Sequence, residues 1–153
     1  MIRILFVCLG NICRSPMAEM IFRDMVKRRG LAGRIECASA GTSDEEEGNP
    51  VYPPARETLS RMGIGVGTKR AVQMTRSDYA KYDLLIGMEQ RNIAAMRRIC
   101  GGDPGHKIRR LLDGTPRPRD IADPWYTGNF DLTRDDIVEG CEALLESLVK
   151  DLP

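Results

Sequence analysis

The sequence predicts an α/β fold, a three-layer sandwich in which helices flank a four-stranded parallel sheet. Short apolar runs alternate with amphipathic helical segments, a pattern that favours a parallel sheet covered on both faces. The first apolar run, residues 2–7, passes directly into a tight loop and a helix. No repeat or linker divides the 153 residues, so a single domain is expected over residues 1–153.

The N-terminal segment is predicted to be the central strand, followed by a helix. Apart from Arg3, residues 1–7 are β-branched or apolar, as expected for a strand buried on both faces. The helix is predicted over residues 15–29, where apolar residues recur at helical spacing. Ser15 is placed to cap this helix, Pro16 suits its first position, and Gly30 can terminate it.

The next segment contains a second strand, predicted over residues 34–40. A polar, acidic, proline-containing loop is expected over residues 43–54. A helix over residues 55–62 is terminated by Gly63, and residues 78–82 are expected to form a helical turn.

The C-terminal half of the chain continues the alternation of predicted strands and helices. A strand is predicted over residues 83–88, a helix over 89–99, a short strand over 107–112 and a long amphipathic helix over 131–148. A proline-rich loop over residues 115–127 is too long to be only a connection, and loops of this length in compact domains usually have a function.

Composition excludes several classes of partner. The net charge is +1, so no general attraction to nucleic acid or to a membrane surface is expected. The five cysteines are odd in number and scattered, which suits free thiols in a reducing cytoplasm. The N-terminus lacks a signal-peptide pattern, and no apolar run approaches the length of a membrane span. These features predict a cytoplasmic protein.

The stretch from Cys8 to Ser15, Cys-Leu-Gly-Asn-Ile-Cys-Arg-Ser, joins the first strand to the first helix without a spare residue. A loop wrapped onto a helix N-terminus points several N–H groups at one spot, which attracts an anion. A thiol in that field ionises easily, and Arg14 can bind two phosphate or sulfate oxygens in a fork. The spacing alone is weak evidence, because a buried cysteine and a surface arginine would give the same pattern. The predicted phosphate-binding residues are Leu9, Gly10, Asn11, Ile12, Cys13 and Arg14.

Residues 7–19, Val-Cys-Leu-Gly-Asn-Ile-Cys-Arg-Ser-Pro-Met-Ala-Glu, resemble the signature of the low-molecular-weight protein tyrosine phosphatases. The resemblance continues through Ser-Ala-Gly-Thr at 39–42 and Asp-Leu-Leu-Ile-Gly-Met at 83–88, and to Asp-Pro-Trp-Tyr at 123–126. The first and last motifs are the specific ones, and their order and separation match the family.

The residues suggest covalent phosphoryl transfer. A Cys8 thiolate would attack the phosphate ester, while Arg14 and the loop N–H groups stabilise the transition state. One carboxylic acid could protonate the leaving group and then activate a water molecule. The resemblance implies Asp123, which stands in the long loop before Pro124. From spacing alone a turn-forming role for Asp123 is equally good, and Asp120 is the local competitor.

The resemblance also implies residues that support the loop and line a cleft. Four side chains are expected to line a cleft for a flat substrate group: Leu9, Ile12, Trp125 and Tyr126. Core packing is the alternative for Trp125. Asn11 and Ser39 resemble family residues that hold the loop by hydrogen bonds, and Ser15 could donate to the thiolate.

Cys13 is the second notable thiol. In the family, the adjacent pair forms a reversible disulfide that protects the nucleophile, which implies the same for Cys8 and Cys13. A small buried side chain is an equally good interpretation of Cys13. Cys37, Cys100 and Cys141 are expected to be buried small hydrophobic residues.

The chain departs from the family pattern at the substrate entrance. Residues 44–47, Asp-Glu-Glu-Glu, stand where many members have an aromatic residue, so one wall is lost and negative charge is added. Tyr52 stands at the position of a usual aspartate, and Lys69 lies near a position where some relatives have histidine. His106, the only histidine, lies elsewhere, so no catalytic histidine is expected.

Other functions remain open. Protein arginine phosphatases have threonine where Ile12 stands, and an apolar residue there favours an aromatic leaving group. Thioredoxin-linked arsenate reductases relay a disulfide through further thiols, and Cys100 is alone in its region. A phosphopeptide-binding module would lack Cys8 or Asp123. A two-metal phosphatase would need a cluster of histidines and carboxylates with ligand spacing.

The sequence therefore predicts a metal-independent cysteine phosphatase of the low-molecular-weight tyrosine type, with no cofactor. Its expected substrates are phosphotyrosine in proteins or small aryl phosphates, and phosphate or sulfate would bind as inhibitor-like ligands. No nucleic-acid or membrane partner is expected, and the protein should be a monomer or a weak dimer.

Overall fold

The structure, a computed structural model, describes residues 1–152. Four parallel strands form one sheet, in which the first strand of the chain lies between the second and the third, and the fourth lies beside the third. They are β1 (Ile2–Cys8), β2 (Ile35–Gly41), β3 (Leu84–Gly87) and β4 (Ile108–Arg110). This arrangement confirms the predicted α/β class and the central position of the first strand.

Helices cover both faces of the sheet. Within residues 1–152 they are α1 (Arg14–Arg28), α2 (Pro53–Arg61), α3 (Asp78–Lys81), α4 (Gln90–Cys100), α5 (Pro124–Thr127) and α6 (Phe130–Asp151). None of the helices in this part of the chain has the combination of length and apolar composition that crossing a membrane requires.

The side chains of β1 alternate between two apolar cores, as the strand period requires. Ile4 and Phe6 pack with residues of α1 and α6, whereas Leu5 and Val7 pack with residues of α4. All four side chains are at most 2% exposed. The strand is therefore buried on both faces, and the three-layer prediction is confirmed.

Two predicted segments near the C-terminus were wrong in detail. The strand predicted over residues 107–112 ends at Arg110, because the Asp113 carboxylate accepts the Arg110 backbone N–H at 2.9 Å and starts a 3₁₀ turn. The loop predicted over residues 115–127 ends in α5, because Asp123 caps a short helix that begins with proline.

The parallel register brings the carboxyl ends of the strands to one edge of the sheet. Cys8 pairs with Gly41, and Val7 pairs with Gly87. A Cβ on Gly41 would lie 2.8 Å from the Leu9 carbonyl oxygen. The residue at the end of β2 therefore has no room for a side chain, because the backbone that follows β1 passes close to it.

Replacing Gly140 by alanine is expected to destabilise the fold. A Cβ at this position of α6 would lie 2.5 Å from Cγ of Leu111, which is 3% exposed. Alanine favours the helix by about 1 kcal/mol, but overpacking a buried contact costs about 1–3 kcal/mol. We therefore expect a net loss of roughly 1 kcal/mol in the free energy of unfolding, measured by urea denaturation followed by circular dichroism.

Gly33→Ala is the matched control for this prediction. A Cβ on Gly33 meets no heavy atom within 4 Å, and its backbone is outside the left-handed region. If Gly140→Ala were as stable as Gly33→Ala, Leu111 would have moved aside without cost and the packing argument would be wrong.

Candidate active site

Cys8 and Arg14 stand at the two ends of the loop of residues 9–13, called the 9–13 loop below. Cys8 ends β1 and is 4% exposed, and Arg14 begins α1 and is 2% exposed. Both line a pocket with Asp123, although Arg14 and Asp123 are 109 residues apart in the sequence. The remaining lining residues are Leu9, Gly10, Ile12, Cys13, Glu45, Glu46, Trp125 and Tyr126.

The carbonyl groups around the 9–13 loop are bonded to the segment that follows β2. Three backbone N–H groups donate to them: Thr42 to Cys8 at 2.9 Å, Ser43 to Leu9 at 3.0 Å and Tyr52 to Ile12 at 2.9 Å. In a trans peptide the N–H points away from the carbonyl of the same unit, so the adjoining loop N–H groups point away from this segment. Such an arrangement at a helix N-terminus suits an anion.

Asn11 holds the centre of the 9–13 loop and is 1% exposed. Its φ of 59° lies in the left-handed region, which asparagine adopts more readily than most residues. Its Oδ1 accepts from the Val72 backbone at 3.0 Å, which orients Nδ2 toward two serines. Nδ2 donates to Ser15 Oγ at 2.8 Å and to Ser39 Oγ at 3.0 Å. The three predicted supporting residues are therefore in contact.

Ser15 does not cap α1, so that prediction was wrong. The helix begins at Arg14 with Cys13 at the cap position, and Ser15 and Pro16 are its second and third residues. Ser15 Oγ lies 3.0 Å from Cys8 Sγ, which is the second contact predicted for this serine. Because Ser15 Oγ accepts from the asparagine amide, its single proton can go to the Ala40 carbonyl at 3.4 Å or to the sulfur at 3.0 Å, and on the shorter contact it would stabilise a thiolate.

The Arg14 guanidinium is held by three acceptors. Nη1 donates to Glu89 Oε2 and to the Ile121 carbonyl, both at 2.8 Å, and Nη2 lies 3.4 Å from Asp123 Oδ2. Sequence reasoning missed Glu89, which stands at the N-cap of α4. The available signal was its position, because a carboxylate just after a parallel strand lies at the ligand-binding edge of the sheet.

Of the two carboxylates considered as the acid, Asp123 is the one that borders the pocket. Its Oδ1 accepts from the Trp125 backbone at 3.1 Å, which fixes the carboxylate at the start of α5. Asp120 Oδ1 instead accepts from the Gln90 backbone at 2.9 Å and from the Arg110 side chain at 3.1 Å. The structure therefore favours Asp123 over Asp120 on position alone.

Aromatic side chains form one rim of the pocket. Trp125 is 53% exposed and Tyr126 is 80% exposed, so core packing is not the role of Trp125. The Trp125 ring lies 4.8 Å from the ring of Tyr52, which in turn lies 6.1 Å from the Phe130 ring. Tyr52 is thus a rim contact that was not predicted. Leu9, 45% exposed, lines the same pocket.

Negative charge lines the entrance, as predicted for the acidic segment. Glu45 and Glu46 both border the pocket. Glu46 Oε2 accepts from Asn49 at 2.6 Å, which holds its side chain beside the 9–13 loop. Arg14 is the one cation among the described residues that line this pocket. Further negative charge on a ligand near its phosphate would therefore be disfavoured at this entrance.

All five cysteines are free thiols. Burial, reinforced by the neighbouring Cys8, raises the pKa of Cys13 to about 12. Burial also raises the pKa of Cys37 to about 12, although this side chain is only partly buried, contrary to the prediction. The pKa values of Cys100 and Cys141 are raised for the same reason, and both thiols are buried as predicted. The redox role of Cys13 stays a prediction.

No metal-binding group is evident in the described part of the chain. Within residues 1–152, no three His, Cys, Asp or Glu side chains are positioned to hold a metal ion.

Comparison with known proteins gives a consistent result. The family model described as "Low molecular weight phosphotyrosine protein phosphatase" matches residues 3–153. The chain is 44% identical to "Low molecular weight protein-tyrosine-phosphatase YfkJ" of Bacillus subtilis, over 99% of this chain and 98% of that protein. The crystal structure of YfkJ matches with a TM-score of 0.97 at 43% identity, covering 100% of this chain and 98% of that one. The structure of DARP, a Drosophila arginine phosphatase, matches with a TM-score of 0.87 at 26% identity, covering 95% and 97%.

Iodoacetamide at neutral pH is expected to label Cys8 and to leave Cys13 unlabelled. The raised pKa of Cys13, about 12, keeps that thiol protonated at neutral pH. Ser15, by contrast, can donate to the Cys8 sulfur and so favours its thiolate form. Tandem mass spectrometry of the peptide that contains both cysteines should show at least about tenfold more label on Cys8. In a Cys8→Ser control the label should not move to Cys13, and equal labelling of the two thiols in the wild type would contradict the prediction.

Proposed function

The chain belongs to the low-molecular-weight phosphotyrosine protein phosphatase family, and we propose that it hydrolyses phosphotyrosine, in proteins or as small aryl phosphates, through a phosphocysteine intermediate. The observation that supports this most directly is the meeting of Cys8, Arg14 and Asp123 at one pocket. We further propose that residues 1–153 form a single catalytic domain that needs no cofactor.

In the first step, Cys8 Sγ attacks the phosphorus of the ester. The sulfur–phosphorus bond forms while the bond from phosphorus to the leaving oxygen breaks, and Asp123 gives its proton to that oxygen. Arg14 and the N–H groups of the 9–13 loop bind the other phosphate oxygens and stabilise the charge of the transition state.

In the second step, water attacks the phosphorus of the phosphocysteine. Asp123 accepts the proton of that water, the sulfur–phosphorus bond breaks, and inorganic phosphate and the Cys8 thiolate are released. Ser15 Oγ, 3.0 Å from the sulfur, can donate to the thiolate as it leaves. One carboxyl group thus acts first as acid and then as base.

The two arms of the Arg14 guanidinium have different roles in this proposal. Glu89 and the Ile121 carbonyl hold Nη1 at 2.8 Å. Nη2 makes a long contact of 3.4 Å with Asp123 and can exchange it for a phosphate oxygen. Glu89 is therefore a positioning residue, because it orients the guanidinium without touching the substrate.

The pocket walls support an aryl ester as the substrate. Ile12 and Leu9 present apolar surface beside the thiol, and Trp125 is half exposed at the rim. A phenyl ring packed between such walls gains about 1 kcal/mol from offset stacking in addition to the burial of its surface. We infer that phosphotyrosine is preferred over an aliphatic phosphate.

Phosphoarginine hydrolysis is the second candidate function. Glu45 and Glu46 line the pocket and would attract a guanidinium group, and an arginine phosphatase has a similar fold.

Arsenate reduction receives no such support. Cys100 ends α4 and packs in the apolar cluster on that face of the sheet, among residues that do not border the pocket.

The proposed partners follow from the same chemistry. We infer that phosphate and sulfate compete with the substrate at Arg14, and that the protein acts in the cytoplasm as a monomer or weak dimer. Neither nucleic acid nor a membrane surface is expected as a partner, because the net charge is only +1.

Hydrolysis of phosphotyrosine and phosphoarginine peptides of equal sequence tests the proposal, with EDTA and a thiol reductant present. We expect kcat/KM to be at least about tenfold higher for phosphotyrosine. In Cys8→Ser turnover should fall by at least about 10³-fold, while circular dichroism shows an unchanged fold. Preference for phosphoarginine would mean that the charges of Glu45 and Glu46 affect substrate choice more than the apolar side chain of Ile12. If neither peptide is hydrolysed, the phosphatase function is refuted.

Asp123→Asn should slow hydrolysis of phosphate esters in proportion to how poor the leaving group is. An alkoxide or basic phenolate needs the proton and should lose about 10²–10⁴-fold in rate, whereas a nitrophenolate should lose far less. Steady-state rates across a series of substituted aryl phosphates give the slope. Asp120→Asn is the matched control, and equal slowing for all leaving groups would remove Asp123 from the acid role.

A further inference from the structure

A buried polar cluster contacts the 9–13 loop through Ser39, and it contains Lys69. The Lys69 ammonium donates to the Ser39 carbonyl at 2.9 Å and lies 3.9 Å from Glu19 Oε1, and the Lys69 side chain is 12% exposed. We propose that Lys69 is a positioning residue whose positive charge stabilises the Cys8 thiolate through this cluster. The inference rests on the proposed role of Cys8 as the nucleophile.

A hydrogen-bond relay connects the cluster to the thiol, and its members in order are Glu19, Ser39, Asn11, Ser15 and Cys8. A carboxylate only accepts, so Ser39 Oγ donates to Glu19 Oε1 at 2.5 Å and accepts from Asn11. The same amide donates to Ser15, whose proton is then available to the sulfur 3.0 Å away. The Asn11 amide thus donates in two directions, toward the Glu19 carboxylate through Ser39 and toward the Cys8 sulfur through Ser15, and it couples the two ends of the relay.

The charge of Glu19 is compensated by two cations. Arg23 lies 2.6 Å from Glu19 Oε2 and its side chain is half exposed, so Lys69 is the less exposed cation of the pair. Burial lowers the pKa of Lys69, and the negative charges of Glu19 and of the Cys8 thiolate oppose that lowering. Charge interactions are mutual, so a protonated Lys69 favours the charged forms of both partners.

The pocket itself supplies little positive charge to the sulfur. Four carboxylates border the pocket or pair with its guanidinium: Glu45, Glu46, Glu89 and Asp123. Arg14 alone balances them, and the raised pKa of Cys13 keeps that neighbour neutral. In the buried cluster, by contrast, two cations face one carboxylate. Lys69 therefore supplies the surplus positive charge beside the relay.

The test is the pH dependence of Cys8 alkylation by iodoacetamide, a neutral reagent, in wild type and three variants. Lys69→Met removes the charge and the hydrogen bond, Lys69→Gln keeps an N–H donor without charge, and Lys69→Arg keeps the charge. We expect the midpoint of the alkylation profile to rise by about one pH unit in the methionine and glutamine variants and to stay near wild type in the arginine variant.

Two results would overturn the proposal. One is a wild-type midpoint in Lys69→Gln, which would assign the effect to the hydrogen bond instead of the charge. The other is a shift in Lys69→Arg as large as in Lys69→Gln, which would point to packing. Should Lys69→Met fail to fold, as judged by its thermal melt, the comparison of Lys69→Gln with Lys69→Arg decides alone.

The readout is independent of turnover. The pKa values of the other four thiols are raised by burial, so label gained near neutral pH reports on Cys8, with Cys8→Ser as the background. If the profile depends on the charge of Lys69 but neither phosphopeptide is hydrolysed, the thiolate inference stands and the proposed function fails.

Discussion

The side-chain amide of Asn11 is the contact on which the geometry of the site depends. Its oxygen accepts from the Val72 backbone, and its nitrogen donates to Ser15 and Ser39. These three bonds hold a residue in the left-handed region, where asparagine costs less than most residues and the bonds offset the remaining strain. The bond from the Val72 N–H prevents the Asn11 amide from flipping, so the amide nitrogen faces Ser15 and donates to it. The Ser15 hydroxyl can then donate its own proton to the Cys8 sulfur.

The parallel sheet brings distant parts of the chain to that loop. Cys8 and Gly41 are register partners, and Glu89 follows β3 at the same edge, where it meets Arg14 across 75 residues of sequence. The segment after β2 donates three backbone N–H groups to the loop carbonyls. The loop is thus fixed on one side by main-chain bonds and on the other by buried side chains, so it is preorganised before a substrate arrives.

The fold and the nucleophile could be predicted because their signals are local. Alternating apolar runs predict a parallel sheet, and Cys8 and Arg14 are separated by one loop whose strand and helix can be read on either side. Of the two contacts predicted for Ser15, the helix cap was wrong and the contact with the Cys8 sulfur is present, because a serine at a helix start can bond either the backbone or a nearby sulfur and the sequence does not choose. Glu89 and Tyr52 were missed because each acts through a partner that only the tertiary fold brings near. Asp123 was chosen for its place in the long loop before Pro124 and by family resemblance, because spacing alone does not separate it from a turn-forming aspartate.

The chain has a single tryptophan, Trp125, and it stands half exposed at the rim of the pocket, 4.8 Å from the Tyr52 ring. Intrinsic tryptophan emission therefore comes from this one place at the surface and from nowhere in either apolar core. Its intensity and wavelength will follow ligand occupancy and the local mobility of the rim. For the same reason emission can change before the cores open, so a fluorescence melting curve of this protein reports on its entrance before it reports on global unfolding.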